Sequence, residues 1–342
     1  WGPYEMYRPY DEKREEGEAY SILTSRHHED ILLQKAGHCD LVETRDGEWY
    51  AVHLCGRASD DRNPEGAERF AGARRYVLGR ETAIQKMCWT EDGWPVLAEG
   101  GNTPRETVEP PACAAVFAGR EGCIRENTAF IRDDFDGKVL HADYQSLRIP
   151  MDGHYLSLTV RPGWLRMYGR SGLASRFTQS LIARRMTEYH MYAETCLDFE
   201  PEVFKQMAGL ILLYDTDNYL YLHISHDEDV GKCVTLLKAE NRKYEYLMDY
   251  VPLLPGRDVI LAVSVQGTDA QFFYGYQGKK LQKAGECVGV GFLSDEACRE
   301  GWFTGTMIGI CCQDLTGFGQ HADFDWFEVN AETEKIEQVF HT

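Results

Sequence analysis

The sequence predicts an all-β protein in two parts: roughly 110 residues of β-hairpins, then an antiparallel sandwich of roughly 210 residues. Three observations carry this reading. Asp-Gly dipeptides join alternating apolar runs near the start of the chain. Short strand-like runs recur at regular spacing beyond about residue 128, with few helical windows. A Pro- and Gly-rich stretch, EGGNTPRETVEPPA at 99–112, separates the two patterns.

The first hairpin reads from His38-Cys39-Asp40-Leu41-Val42-Glu43-Thr44, through Asp46-Gly47, to Glu48-Trp49-Tyr50-Ala51-Val52-His53-Leu54. Gly supplies the positive φ that a tight turn needs, so Asp-Gly between alternating runs is a strong hairpin signal. A second hairpin reads from Thr82–Trp89, through Glu91-Asp92-Gly93, to Trp94-Pro95-Val96-Leu97. Residues 57–78 read as a long Arg-, Gly- and Asp-rich loop, which Arg57 opens toward solvent. In the second part, strands are expected at Tyr155–Val160, Trp164–Tyr168, His190–Leu197, Leu210–Tyr214, Tyr219–Ile224, Val259–Val265, Gln271–Tyr276, Met307–Cys311 and Phe324–Val329. The near-continuous apolar run at 207–214 suits a central strand packed on both faces. The expected domains are residues 1–112 and 113–342. Two or three hairpins do not hold together alone, so the first part is expected to pack on something else.

Composition limits the partners. Lys and Arg total 36 against 55 Asp and Glu, a net charge of −19 over 342 residues. That balance opposes binding to nucleic acid or an anionic membrane. Aromatics make up 12% of the chain, suited either to β-structure or to stacking on neutral sugars. No run approaches the ~20 apolar residues of a membrane span. The first residues, WGPYEMYRPYDEKREE, resemble neither a signal nor a transit peptide and lack a starting Met, so a piece of a longer protein or a processed product is expected. Eleven cysteines, with no CxxC pair and no N-x-[ST] sequon, read as reduced thiols of a cytoplasmic protein.

Gly2-Pro3-Tyr4-Glu5, Gly37-His38-Cys39-Asp40-Leu41-Val42-Glu43-Thr44, Leu78-Gly79-Arg80-Glu81-Thr82 and Asp92-Gly93-Trp94-Pro95 occur in that order. Asp133-Asp134-Phe135, Leu147–Pro150, Leu197–Pro201, Gln206–Leu210, Phe303-Thr304-Gly305 and Ala322–Asp325 follow. In this order and spacing the chain resembles glycoside hydrolase family 43, in the β-xylosidase type with an extra C-terminal sandwich. The resemblance covers essentially the whole chain. It implies the last part of a five-bladed β-propeller followed by a concanavalin-like antiparallel β-sandwich. It also implies exo-acting hydrolysis of xylo-oligosaccharides by an inverting mechanism, with α-L-arabinofuranosidase side activity. Members of the family carry an Asp general base, a Glu general acid and a further Asp in earlier blades. None of those motifs lies in this chain, which enters partway through the fourth blade. The catalytic acid and base are therefore expected upstream, in a segment that is a partner chain or absent.

The resemblance assigns substrate-binding roles to three residues. Arg80 would point into the funnel and hold sugar hydroxyls; the alternative is a pairing with neighbouring Glu81. His38 would lie near the propeller axis below the sugar, binding it through water or ligating calcium; a lone histidine beside an apolar strand is more often a satisfied core residue. Phe303 would close the pocket from the sandwich, with Trp302 as the alternative ring and a core Phe as the plain reading. The carboxylates Glu5, Asp40, Glu43 and Glu81 read as capping or pairing groups. Asp133, Asp134, Asp323 and Asp325 read as strand-end residues, with calcium as the alternative. No cofactor is required, calcium being the one candidate, and a homo-oligomer is expected. A reading from another class is a non-catalytic, lectin-like carbohydrate-binding module, against which the half-propeller at residues 1–98 argues.

Overall fold

A computed structural model describes residues 5–7, 21–26, 28, 30–59, 74–117, 130–299 and 304–331. Among the described residues the structure is all-β, with one 3-10 turn at Ala112–Phe117 and no α-helix. Two compact units emerge: Trp1–Ala58 with Arg80–Asn127, and Ser59–Gly79 with Thr128–Thr342. This division differs from the single cut expected at 112, because a segment before Arg80 packs with the second unit.

The first unit is a four-stranded antiparallel meander of β1 (Leu33–Glu43), β2 (Trp49–Arg57), β3 (Glu81–Trp89) and β4 (Pro95–Leu97). Its two Asp-Gly hairpins share one turn. Thr44 N donates to Glu48 O, Gly47 N donates to Thr44 O, and Glu48 N donates to the Thr44 hydroxyl. Thr90, Gly93 and Trp94 repeat all three bonds. Gly47 and Gly93 sit at φ +80° and +86°, which only glycine adopts without strain. One face of the sheet buries Ala51, Met87 and Leu97 against Leu23. The opposite face leaves Val42 and Ile84 over 40% exposed.

Among the described residues the second unit has fifteen strands. They are β5 (Phe130–Asp133), β6 (Leu156–Ser157), β7 (Leu165–Tyr168), β8 (Ser180–Arg185), β9 (His190–Asp198), β10 (Gln206–Asp215), β11 (Asn218–Asp227) and β12 (Gly231–Glu240). Then come β13 (Lys243–Tyr246), β14 (Val251–Pro252), β15 (Val259–Gln266), β16 (Asp269–Gly275), β17 (Gln282–Gly289), β18 (Met307–Asp314) and β19 (His321–Asn330). One sheet runs β13-β12-β11-β10-β18-β8, with β14 on β12. The other runs β17-β16-β15-β9-β19-β7-β6, with β5 on β19. Alternate residues of both sheets meet in one core: Leu210, Leu212, Leu222 and Ile310 from the first, Leu197, Leu261, Val263 and Phe324 from the second. Central strand β10 is packed on both faces, since Ile211 and Leu213 belong to a separate apolar cluster behind the first sheet. Adjacent Cys311 and Cys312 split likewise between the two clusters. The described cysteines are all free thiols.

Residues 74–78, expected in a loop, form no regular element and pack within the second unit. Thr306 N donates to Val77 O (2.8 Å), Met186 N donates to Thr306 O (3.0 Å), and Tyr76 N donates to a Glu296 carboxylate oxygen (3.0 Å). Backbone groups that would otherwise be buried unpaired are thereby satisfied.

Candidate functional site

Arg80 directly precedes β3 and is half-buried. Glu81, the neighbour raised by the sequence as an alternative partner of Arg80, is held by another arginine. Arg57, the last residue of β2, holds Glu81 through Nε at 2.9 and 3.2 Å and Nη2 at 2.9 Å. Strand pairing brings this about, since Cys55 is the register partner of Glu81. Arg57 is thus a strand-end residue in a two-pronged ion pair, which corrects its reading as the start of a solvated loop. Two-pronged guanidinium–carboxylate pairs fix orientation as well as charge.

His38 lies in β1 where the pairing with β2 slips twice, between Gln34 and Gly37 and between Gly37 and Asp40. Lys35 and His38 both adopt left-handed backbone, at φ +54° and +53°. Irregularities of this kind re-aim a side chain that regular alternation would fix, and strained non-glycine residues collect at functional sites. His38 is exposed, so it is not a packed core histidine. Asp40, Glu43 and Glu5 are also exposed.

Sequence reasoning passed over His53, which is the buried histidine among the described residues of this unit. Its Nδ1 bonds Leu54 O at 2.9 Å, and Gln85 Nε2 lies 3.4 Å from its Nε2. Gln85 also makes both amide bonds to the Arg105 backbone, at 2.9 and 2.8 Å. Burial lowers the pKa of His53, partly offset by the bond to Leu54 O, so the ring is neutral at pH 7. The inward parity of Trp49, Ala51, His53 and Cys55 on β2 was the available signal.

Phe303 and Trp302 lie outside the described residues. Three of the four aspartates offered for calcium, Asp133, Asp134 and Asp323, have partners within the chain. Arg166 donates to both Asp323 carboxylate oxygens at 2.7 Å, and Arg161 bridges Asp323 (2.9 Å) and Asp198 (2.7 Å). Burial opposes the charge of Asp323, but the arginine hydrogen bonds outweigh it and hold its pKa below the usual value. Guanidinium donors already occupy the lone pairs that calcium would need. Asp134 pairs with Arg132, and Asp133 accepts the Phe135 N–H. Among the described residues no three His, Cys, Asp or Glu side chains gather to hold one metal ion.

The four-stranded meander and the two-sheet sandwich each correspond to a known protein family. Residues 132–330 match the family of the beta xylosidase C-terminal concanavalin A-like domain, more than half of the chain. Residues 6–95 match glycosyl hydrolases family 43. The chain belongs to glycoside hydrolase family 43, in the group that ends in this sandwich. It is 34% identical over 329 residues to a beta-xylosidase of Bacillus subtilis, covering 95% of this chain and 58% of that protein. It is 34% identical over 338 residues to xylosidase/arabinosidase 43B of Humicola insolens, covering 96% of this chain and 56% of that protein. The crystal structure of xylan beta-1,4-xylosidase from Bacillus halodurans superposes with a TM-score of 0.78 at 37% identity, over 91% of this chain and 56% of that one. The chain thus spans a little over half the length of the relatives it matches.

Proposed function

We propose that the protein carrying this chain is an exo-acting β-xylosidase of inverting mechanism, with α-L-arabinofuranosidase activity alongside, acting on short xylo-oligosaccharides. The observation that carries the reading is the head of β3. There Arg57 holds the carboxylate beside Arg80, and a half-buried guanidinium at this point of the strand is suited to gripping sugar hydroxyls. The names of the relatives, xylosidase and xylosidase/arabinosidase, support both activities.

In such a reaction one carboxylic acid protonates the leaving oxygen while a carboxylate activates water on the opposite face. The chain's own contribution is grip. Charge-assisted hydrogen bonds from Arg80, with His38 reaching the sugar directly or through water, strengthen as the ring gains oxocarbenium character. The acid and base are assigned to a part of the protein preceding this segment. The exposed Val42 on β1 and Ile84 on β3, on the same face of the meander, support stacking of a further sheet there. The ten described cysteines, all free thiols, support a reducing, cytoplasmic setting.

The test compares the isolated chain with the same chain joined to its upstream blades, on xylobiose and on aryl xylosides and arabinofuranosides. The joined protein is expected to release α-xylose first, seen by proton NMR before mutarotation; the isolated chain is expected to show no turnover. Release of β-xylose first would overturn inversion. Turnover by the isolated chain would return Asp40 or Glu81 to the catalytic role. Sugar binding without hydrolysis by the joined protein would favour the lectin-like reading.

A further inference from the structure

We propose that Arg185, at the end of sandwich strand β8, is a positioning residue for Arg80; this rests on the sugar-gripping role given to Arg80 above. Arg185 Nη2 donates to Leu78 O at 2.7 Å and Nη1 donates to Thr304 O at 2.8 Å. One guanidinium therefore ties together two backbone segments more than 200 residues apart in sequence. Its planar fork suits two carbonyls at once, which a lysine ammonium on a flexible stem does not.

The segments it joins touch with no side chain between them. Gly79 and Gly305 sit at φ +72° and +78°. A Cβ on Gly79 would lie 2.4 Å from Gly305 N, and a Cβ on Gly305 would lie 2.2 Å from Leu78 O. Backbone on backbone cannot yield as a side-chain tip can. The bond from Thr306 N to Val77 O closes the far side of the same contact. Residues 77–79 are thus fixed from three directions, and the next residue is Arg80.

The route is through the main chain. Arg185 holds the Leu78 carbonyl, that carbonyl and the Gly79 contact set the direction of the backbone, and the backbone sets where the Arg80 side chain starts. A displacement of about 1 Å at a gripping group can cost on the order of 100-fold in rate.

The experiment is a double-mutant cycle in the active protein, the chain with its upstream blades, assayed on xylobiose with melting temperature monitored. Arg185→Ala is expected to lower kcat/KM about 10- to 100-fold. Arg185→Lys keeps the charge and one of the two bonds, and is expected to fold normally yet lose about 10-fold. In an Arg80→Ala background, either Arg185 substitution is expected to cost less than about 3-fold further, because the group it positions is gone. Losses that multiply in full would overturn the proposal and leave Arg185 a structural residue. If Arg80→Ala harms the enzyme while both Arg185 variants keep full activity, positioning fails and the sugar-site reading stands. If Arg80→Ala itself is harmless, the sugar-site reading fails and the proposal with it.

Discussion

Arg57 grips Glu81 across the β2–β3 pair, with Nε to Oε2 and Nη2 to Oε1 both at 2.9 Å. Both side chains are about three-quarters buried. The pair separates two adjacent residues by role, Glu81 as the anchor and Arg80 as the proposed sugar contact.

That separation predicts unequal losses. Arg80→Ala should lower kcat/KM on xylobiose by at least about 100-fold, since removing a charged donor from a closed site costs several kcal/mol. Arg57→Ala should cost about 1 kcal/mol of stability and only a few-fold in kcat/KM, by releasing Glu81 beside Arg80. Steady-state kinetics and urea midpoints on the two variants check this. Equal kinetic effects would remove Arg80 from the site.

His223 sets an acid limit. It is fully buried on β11, stacks on Tyr221 with centroids 4.5 Å apart, and bonds Tyr221 O through Nδ1. Burial drives its pKa from 6.5 down to about 4, against the smaller raising effect of that bond. The unfolded chain therefore binds a proton between about pH 6.5 and 4 that the folded chain refuses. Stability is intact above pH 6.5, declines as pH falls through this window, and flattens below about 4. The loss is about 3 kcal/mol. Urea unfolding at pH 7 and pH 4.5 should show it, and His223→Gln should reduce the pH dependence. An unchanged slope in the variant would exclude His223 as its source.

Asp323 should behave as an ion-pair hub and not as a calcium ligand. Asp323→Ala leaves Arg166 partly buried without its partner and should destabilise by about 3–5 kcal/mol. Adding calcium or EDTA should move the melting temperature of the wild-type chain and of Asp323→Ala by the same amount. A calcium-induced rise seen only in the wild type would restore the metal reading of this residue.

The hairpins were legible because their information is local: Thr, Asp and Gly within four residues dictate the turn at Thr44 and again at Thr90. Strand β10 was legible because a buried central strand needs apolar residues on both faces. The edge strands β13 and β17 were not, since they are largely exposed and their residues follow no alternation of burial. His38 and Arg80 drew notice through family resemblance, and the structure adds a strained bulge at one and a carboxylate held by Arg57 at the other. The partners of Asp323 were invisible, because Arg166 lies 157 residues away and no local pattern announces such a pair. The same is true of Arg185 and Leu78, 107 residues apart.

The placement of residues 74–79 bears on how such proteins can be cut and recombined. A gene fragment beginning at residue 113 would encode a sandwich lacking the piece that Thr306, Glu296 and Arg185 bind, so the sandwich is not a transplantable cassette. A chimera that exchanged only residues 113–342 for those of a relative would pair a foreign Gly305 loop with a native Leu78-Gly79, where a tenth of a nanometre of mismatch has no side chain to absorb it. Hybrids that exchange Ser59–Gly79 together with Thr128–Thr342 keep both pieces of the second unit from one parent and are the ones that should be soluble.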